Sequence, residues 1–409
     1  MDRLNLFQWS RDCRSRYGHA SSRAPLILEA VSACDKHGGL QDVLLERSSS
    51  GCVFGSVFER LPVDSKALTV EEYRERVSDC LVAEGQHCMR HRATCRAPAA
   101  LICIAGTSCR PWSRANRGSQ VGVQHPDMKQ FYAWARIMHR DQPALIIHEN
   151  VVGFDDRILA SALGELYEIE CCLDVSPSHA GFGFLRRARK YHLLTLKSSR
   201  VSLSPVCQVY QSIVQRVAKN VDNWPGLVWR ATPRELEEEL AAARSRRKSR
   251  QLTDALEARL VADDALVASS GSADAAEKWR SLLTPDQAKY LDTYITLWRQ
   301  RHQQGPEATP SCIFDLGDSP GYKGLPAMRQ LPTLRHRQSI WWSPLHGRWM
   351  THREKAGCMG FPVYEDLANR ARVGLDVSTG KCPQALGNAM HVASVGTVLL
   401  ATMFSAEWP

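Results

Sequence analysis

The pattern of apolar and polar positions is most regular between Ala99 and Leu196, where short apolar runs alternate with amphipathic segments of helical period. The runs predict strands at 100–105, 144–148, 167–174 and 190–196, and the segments between them predict helices at 126–140 and 155–166. Such alternation is typical of parallel β-α-β units. We therefore expect an α/β domain with a mostly parallel sheet and helices on both faces.

Before this region the pattern is less regular. The segment Pro25–Cys34 has a helix-like pattern, and Cys52–Phe58 has a strand-like one. Thr69 and Glu72 form a capping box, which predicts a helix that runs toward Val82.

From about Val201 the chain changes character. Capping boxes that begin at Thr232 and Thr284, each followed by proline, predict two long helices. The segment Gly305–Gln338 is rich in proline and glycine and predicts loops, and the last seventy residues return to an α/β pattern. We predict one domain from residues 1–200 and 340–409, and a smaller, helix-rich lobe from 201–339.

Composition narrows the class of protein. The chain has 409 residues, of which 44% are apolar, so it can bury a large core, and the composition argues against global disorder. Its net charge of +9 is compatible with a polyanionic partner. The fourteen cysteines are scattered and no secretory signal precedes them, and the apolar run Val392–Phe404 is too short and interrupted to span a bilayer. These features predict a soluble nuclear or cytoplasmic protein with reduced thiols and no membrane partner.

Two predicted strands each end in a reactive side chain. Cys109 lies in a small-residue loop after the strand at 100–105, and Glu149 ends the strand at 144–148. The carboxyl ends of parallel strands share one edge of a sheet, which is where α/β proteins place their active sites. Arg110 beside Cys109 favours a thiolate, which can attack an electron-poor ring while an acid protonates that ring. Taken singly, Cys109 is more often a small buried apolar residue, and Glu149 a carboxylate that binds a helix N-terminus.

Cys109 and Glu149 belong to a series of short motifs. In chain order these are Gly106-x-x-Cys109-x-x-x-Ser113, Glu149-Asn150-Val151, Arg187-Ala188-Arg189, Arg348-x-x-Thr351-x-Arg353-Glu354 with Gly360-Phe361-Pro362, and Gly387-Asn388-Ala389. The series resembles that of the C5-cytosine-specific DNA methyltransferases in both content and order. The resemblance implies a Rossmann-like, S-adenosylmethionine-dependent methyltransferase fold that acts on cytosine in DNA.

The resemblance also implies roles for these residues. Cys109 would attack C6 of cytosine, Glu149 would hold the base edge and protonate N3, and Arg189, with Arg187, would steady the base and a neighbouring phosphate. The target base would be flipped out of the duplex or unpaired. Residues on the side of the methyl donor, S-adenosylmethionine, would be Asn388, Gly387, Ser113, Gly106 and Pro25.

The sequence departs from the family at four places. Ser108 stands where the family has proline, and Arg110 where it has glutamine. The glycine-rich donor motif is not recognisable, and the best candidate by position is 18–25, which ends at Pro25. An acidic residue for the donor's ribose is also missing, Glu46 being a poor candidate. Two alternatives follow, namely a catalytically inactive relative that binds nucleic acid and an RNA cytosine-C5 methyltransferase.

Two further clusters have simpler interpretations. Cys80, His87, Cys88, His91 and Cys95 lie close together, but their spacing matches no standard zinc pattern, so we predict a surface helix and loop, and no metal. The basic run 244–250 is typical of a solvated helix end, with nuclear targeting or phosphate contact as the alternative. Trp224 and Trp229 in the same lobe are candidates for base contacts.

Overall fold

The computed structural model describes residues 3–8, 29–35, 41–42, 44–45, 50–113, 121–218, 228–251, 273–325, 330–334, 340–364 and 386–408. The chain divides into two compact units. Unit 1 comprises Met1–Ser176, Ala188–Val217 and Ser394–Pro409, and unit 2 comprises Pro177–Arg187 and Ala218–Ala393. The segment 340–393, which the sequence analysis assigns to the first domain, clusters with unit 2.

Unit 1 contains one nine-stranded sheet. Its strands are β1 (Arg3–Gln8), β2 (Glu29–Cys34), β3 (Cys52–Phe54), β4 (Gly85–Cys88), β5 (Ala93–Arg96), β6 (Ile102–Gly106), β7 (Leu145–Val151), β8 (Tyr167–Val175) and β9 (Arg189–Leu196). Their order across the sheet is β5-β4-β3-β2-β1-β6-β7-β9-β8. Among its described residues the unit also contains helices α1 (Val70–Ser78), α2 (Met128–Asp141), α3 (Asp156–Leu163), α4 (Val206–Val217) and most of α10 (Val392–Ser405).

The α/β class is confirmed, but the sheet is mixed rather than mostly parallel. Among the described strands, only the pairs β2–β3 and β6–β7 are parallel neighbours. Three strands, β1, β4 and β9, run against the rest, so six of the nine still point the same way. The reason lies in the connections, because the β8–β9 and β4–β5 pairs return directly without a crossover helix.

The strands that carry the candidate chemistry lie in the middle of the core. Strand β6 is buried at four of its five residues and β7 at six of seven, as expected of strands that are covered on both faces. Helix α2 packs the apolar face formed by Phe131, Trp134 and Met138 into the same core. The predicted strands and helices of 100–196 are confirmed to within a few residues at each end.

Two local predictions are wrong. Pro25–Cys34 was predicted as a helix, but 29–34 is strand β2, because its backbone pairs with β1 and β3. The predicted surface helix and loop around Cys88 is the hairpin β4–β5, in which Cys88 pairs with Ala93. The predicted strand at Cys52–Phe58 stops at Phe54 and is followed by a short 3-10 helix, Val57–Arg60. The Thr69 capping box is present, and its helix ends at Ser78.

Unit 2 contains α5 (Pro233–Gln251), α6 (Ala273–Arg280), α7 (Pro285–Arg301), α8 (Pro320–Lys323), α9 (His352–Cys358) and a three-stranded sheet of β10 (Phe314–Asp315), β11 (Trp341–Ser343) and β12 (Arg348–Trp349). Both predicted capping boxes form, at Thr232 and Thr284. The Arg-x-x-Thr-x-Arg-Glu motif builds the turn into α9, where Arg348 donates two hydrogen bonds of 2.9 and 2.8 Å to the fully buried Glu354. These motif residues therefore hold unit 2 together.

One helical stretch, Leu386–Ser405, has the length and composition that a membrane-crossing helix needs. Half of its most apolar window is buried inside the protein, and core helices of water-soluble proteins meet the same criterion. The small residues Ser394, Thr397, Ala401 and Thr402 lie on its buried face.

Candidate active site

The ends of β6 and β7 lie side by side. The two strands are parallel, and their register pairs Gly106 with Glu149. The loop that carries Cys109 therefore leaves the sheet beside Glu149, at the carboxyl edge of both strands. This is the strand arrangement that the sequence predicts.

The Cys109 loop is tied to β7 through Thr107. The Thr107 hydroxyl lies 2.8 Å from Nε2 of His148 and accepts a hydrogen bond of 3.2 Å from Nδ2 of Asn150. The same amide group donates to the Thr107 carbonyl at 3.4 Å, and the Asn150 side-chain oxygen accepts the N–H of Val151. Asn150 is fully buried. The asparagine of the Glu-Asn-Val motif thus fixes the loop before the cysteine.

Asp127 holds the loop on its other side. The Ser108 hydroxyl donates to the Asp127 carboxylate at 2.7 Å, and the Arg110 guanidinium lies 3.4 Å from the same carboxylate. Ser108 therefore anchors the loop by a hydrogen bond at the position where the family has a rigid proline. The guanidinium of Arg110, beside Cys109 in the sequence, thus forms an ion pair with Asp127. Between these anchors Cys109 is a half-buried free thiol.

Glu149 forms an ion pair with Arg189. The Arg189 Nε lies 3.0 Å from the Glu149 carboxylate, and the two side chains are 14% and 11% exposed. Register explains the contact, because β9 runs antiparallel to β7 and pairs Arg189 with Val151, two residues beyond Glu149. Arg189 also donates to the Ala188 carbonyl at 2.8 Å. The carboxylate is thus oriented and largely buried.

The loops after β6 and β7 contact each other. The Trp112 ring packs edge-on against Phe154 with centroids 5.7 Å apart. A Cβ added at Gly153 would lie 3.3 Å from the Trp112 carbonyl oxygen, so glycine permits this close approach. Ser113 follows Trp112 at the end of a described segment, half-buried. Arg114 and Arg117 lie outside the described residues.

Aromatic rings form the layer beneath the loop. The fully buried His148 stacks on Trp134 with centroids 5.1 Å apart and contacts Phe154. Burial, with a smaller contribution from His192, lowers the pKa of His148 well below its usual value. His148 is therefore neutral at physiological pH and can exchange a hydrogen bond with Thr107 without bringing a charge into the core.

Arg187 and Arg189 have different partners. Arg187 belongs to unit 2, is 5% exposed, and donates to the backbone carbonyls of Leu334, Gly387 and Ala389 at 3.1, 3.2 and 2.6 Å. Its guanidinium thus holds the Gly-Asn-Ala segment, and its role on the base stays a prediction from the sequence. Nδ2 of Asn388 in this segment is buried and has no hydrogen-bond partner among the described residues.

Of the other predicted residues, one contacts its neighbours within unit 2 and the rest lie outside the described residues. The Trp229 ring stacks on His346 with centroids 4.4 Å apart and lies under the Arg348 guanidinium, so it is occupied within unit 2. Pro25 and the rest of 18–25, Glu46, Trp224 and the side chains of 246–250 lie outside the described residues.

The sequence analysis missed Asp35. It follows β2 directly, is 1% exposed, and its backbone N–H donates to the Phe54 carbonyl. Strand β2 runs in the same direction as β6 and β7, so Asp35 lies at the carboxyl edge of the sheet. The sequence analysis found no acid at the end of the second strand because it predicted this strand as a helix. Recognition of Val31–Cys34 as a strand would have identified Asp35.

Comparison with known proteins gives likenesses of fold only. No protein-family model matches the chain, and no curated protein sequence matches it significantly. Among solved structures it is similar to the Dnmt2 methyltransferase of S. pombe, with 16% identity over 91% of this chain and 89% of the other and a TM-score of 0.39. It is also similar to a putative DNA modification methyltransferase encoded within an E. coli prophage, with 13% identity over 92% of this chain and 93% of the other and a TM-score of 0.42. For the Entamoeba histolytica methyltransferase EhMeth, the identity is 10% over 91% of this chain and 88% of the other, and the TM-score is 0.41.

Proposed function

We propose that this protein transfers a methyl group from S-adenosylmethionine to C5 of cytosine in DNA, through a covalent bond between Cys109 and the base. The observation that carries the proposal is the pairing of Gly106 with Glu149 at the ends of two parallel strands. It delivers a thiol loop and an oriented carboxylate to one edge of the sheet. Asn150 and Asp127 add support because they hold the loop on either side of Cys109.

The proposed reaction makes C5 of cytosine nucleophilic by adding a thiolate at C6. The Cys109 thiolate forms a bond to C6, and the electron pair of the C5–C6 double bond moves toward C5. Glu149 would bind the N3 and amino edge of cytosine and supply the proton that makes the ring electron-poor, while Arg189 keeps the carboxyl in place. C5 would take the methyl group, and S-adenosylhomocysteine would leave with the electron pair of the broken S–CH3 bond. C5 would then lose its proton to water, and the C–H electron pair would re-form the C5–C6 double bond. The sulfur would leave C6 with the C–S electron pair, and N3 would return its proton to Glu149. The thiolate is thereby regenerated.

S-adenosylmethionine would supply an electrophilic methyl group. One described feature of unit 1 fits such a ligand. The buried Asp35 carboxylate at the carboxyl edge of the unit 1 sheet is suited to bind ribose hydroxyls. Asn388, whose buried Nδ2 has no hydrogen-bond partner among the described residues, remains a proposed donor-side residue. Gly106 and Ser113 remain proposed donor-side residues, and Pro25 and Gly387 are proposed with them.

The access of the Cys109 thiol to C6 of cytosine limits which substrates fit the proposal. A cytosine in a stacked duplex cannot present C6 to a thiol in a loop, so the target would be flipped out or unpaired. The net charge of +9 is compatible with a polyanion. We propose DNA first, and RNA as the variant because the same chemistry serves an unpaired cytosine in either polymer.

One observation favours the alternative of an inactive nucleic-acid-binding relative. Strand β1 runs antiparallel to β6, so its carboxyl end lies at the sheet edge opposite Cys109. A donor-binding turn directly after β1 would therefore begin on the far side of the sheet from the thiol.

Methyl transfer from labelled S-adenosylmethionine to cytosine-rich DNA and RNA, followed by nucleoside mass spectrometry, distinguishes these possibilities. We expect 5-methylcytosine in DNA, a loss of at least about 10³-fold in Cys109→Ala, and no loss in the control Cys172→Ser, which changes an exposed thiol on β8. Product in RNA alone would reassign the substrate. No product in either polymer would support the inactive form.

A further inference from the structure

Three cysteines and one histidine converge at the edge of the sheet in unit 1. Cys52 lies on β3, Cys88 ends β4, His91 lies in the β4–β5 turn and Cys95 lies on β5. Their candidate ligand atoms, three sulfurs and one imidazole nitrogen, all lie within 4.8 Å of one another. The three sulfurs lie 3.7, 3.4 and 3.3 Å from Nδ1 of His91.

Hydrogen bonding alone does not account for three sulfurs around one nitrogen. A ring nitrogen carries at most one proton or one lone pair, so it forms one well-directed hydrogen bond. A tetrahedral zinc ion with Zn–S bonds of about 2.3 Å and a Zn–N bond of about 2.0–2.1 Å would separate each sulfur from the nitrogen by about 3.6 Å. The three observed distances lie on both sides of that value.

The donor set is specific in its chemistry. Three thiols and an imidazole are soft to borderline ligands, which favour Zn²⁺ over the oxygen-seeking Mg²⁺ and Ca²⁺. Four protein ligands complete a tetrahedron, so no position stays open for water or substrate, as is typical of structural sites. The described cysteines are all free thiols, so no disulfide among them competes for these sulfurs. We propose that Cys52, Cys88, His91 and Cys95 together bind one structural Zn²⁺.

The surroundings of Cys88 support this assignment. Cys88 is fully buried, and its sulfur lies 3.4 Å from Nδ1 of His91. His91 is exposed, so the ion can enter from solvent on that side.

The architecture explains why a metal is useful at this place. Strands β4 and β5 form the outer edge of the sheet, and β4 joins β3 through a single paired position, Phe54 with Cys88. One further backbone bond, from Met89 to the Val53 carbonyl, supports the junction. A zinc ion that takes Cys52 from β3 and the other ligands from the hairpin would cross-link the edge to the sheet. The role is structural and independent of methyl transfer.

The sequence alone predicts no metal here because the cysteines and histidines between Cys80 and Cys95 match no standard zinc spacing. Cys80 and His87 are close in sequence but are not in the cluster, and Cys52, which completes it, precedes Cys88 by 36 positions. His87 is exposed and Cys88 buried, since successive residues of β4 point to opposite faces of the sheet.

The test measures zinc bound to the intact protein. The protein is purified under reducing conditions from zinc-supplemented culture and analysed by elemental mass spectrometry. We expect one zinc per chain in the wild type, and a fall of about tenfold or more in His91→Ala and Cys95→Ser. The matched controls His87→Ala and Cys80→Ser should keep full occupancy. Equal zinc in ligand and control variants, or no zinc in the wild type, would overturn the proposal.

Two readouts remain valid where a variant folds poorly. Cobalt added to the metal-stripped wild type should give the intense visible bands of a tetrahedral cobalt–thiolate site. Zinc alone should raise the midpoint of thermal unfolding of the stripped protein by several degrees, and should not do so in His91→Ala. Failure of both in the wild type would contradict the site. Because neither depends on methyl transfer, a failed activity assay leaves this result unaffected.

Discussion

Unit 1 contains two sites built on cysteine, and they differ in what surrounds the sulfur. At the ends of β6 and β7, Cys109 is a single half-buried thiol, while Ser108 and Arg110 on either side of it are held by Asp127. At the edge formed by β3, β4 and β5, three sulfurs surround one imidazole nitrogen. The first arrangement leaves a sulfur available to a substrate, and the second directs every sulfur at a common point.

The comparison shows that neighbours, rather than residue type, decide the chemistry of a thiol. A nucleophile needs an open side and a rigid backbone, and the hydrogen bonds of Thr107 with His148 and Asn150 provide that rigidity. A structural ligand needs three companions and no open side. At Cys109, residues close in sequence to the ends of β6 and β7 provide the rigid backbone. At the metal site, the sulfur ligands come from strands β3, β4 and β5, and Cys52 on β3 is distant in sequence from the others.

The largest effect on methyl transfer at the Cys109 site is expected from Glu149→Gln. The amide keeps the size of the side chain but cannot supply a proton to cytosine N3, so we expect kcat for methyl transfer to fall by about 10²–10³-fold. Glu168→Gln, which changes an exposed carboxyl on β8, is the control. Equal activity in wild type and Glu149→Gln would remove the carboxyl from the mechanism.

Asn150→Ala tests whether the loop before Cys109 needs its anchor. The variant leaves the Thr107 carbonyl without the bond from Asn150 in a fully buried position, so the free energy of unfolding should fall by about 1–3 kcal/mol. The misplaced thiol should lower kcat by about tenfold to 10²-fold, while KM changes little. Urea unfolding and steady-state kinetics measure the two effects. A normal kcat in the destabilised variant would show that the anchor is purely structural.

Alkylation with iodoacetamide compares the two sites in one experiment. In zinc-loaded protein, the thiolates of Cys52, Cys88 and Cys95 are bound to the metal, so Cys109 should react before these three. Removal of zinc by a chelator should raise the labelling rates of the three ligands by about tenfold or more and leave that of Cys109 unchanged. Peptide mass spectrometry follows each site. If the labelling rates of Cys52, Cys88 and Cys95 do not rise after the chelator is added, the proposed difference between the metal ligands and Cys109 is wrong.

The smallest effect concerns pH. Burial lowers the pKa of His148, which faces the ring of His192 and the Thr107 hydroxyl. Below pH about 6.5 the unfolded chain binds a proton that the folded chain does not, so stability falls as pH falls, by at most about 1.4 kcal/mol per pH unit for this group. Urea unfolding between pH 7.5 and 5 should show a shallower slope in His148→Gln. An unchanged slope would mean that other groups dominate acid unfolding.

Much of the fold around the candidate site could be predicted from local pattern. The apolar runs at Ala100–Ala105 and Ala144–Ile147 became β6 and β7 because both strands are buried on two faces. Strand β2 could not be predicted, since Leu26, Ile27, Ala30 and Val31 fit a helical period and only pairing with β1 and β3 makes 29–34 a strand.

The candidate residues divide in the same way. Cys109 and Glu149 could be proposed from the sequence because each lies at the end of a recognisable strand and belongs to a motif. The contacts of Arg187 could not be predicted, because its partners, the carbonyls of Leu334, Gly387 and Ala389, are at least 147 positions away. Cys52 was missed as a ligand for the same reason, since a tertiary contact leaves no trace in local spacing.

The central claim is that the Cys109 sulfur bonds to cytosine, and trapping on DNA that contains 5-fluorocytosine tests it most directly. Fluorine at C5 cannot leave as the proton does, so the bond between sulfur and C6 persists after methyl transfer. With saturating S-adenosylmethionine, the account predicts a denaturant-resistant protein–DNA complex whose modified peptide contains Cys109, which forms in Cys172→Ser and not in Cys109→Ala. No complex in the wild type, or a complex that survives in Cys109→Ala, would contradict it.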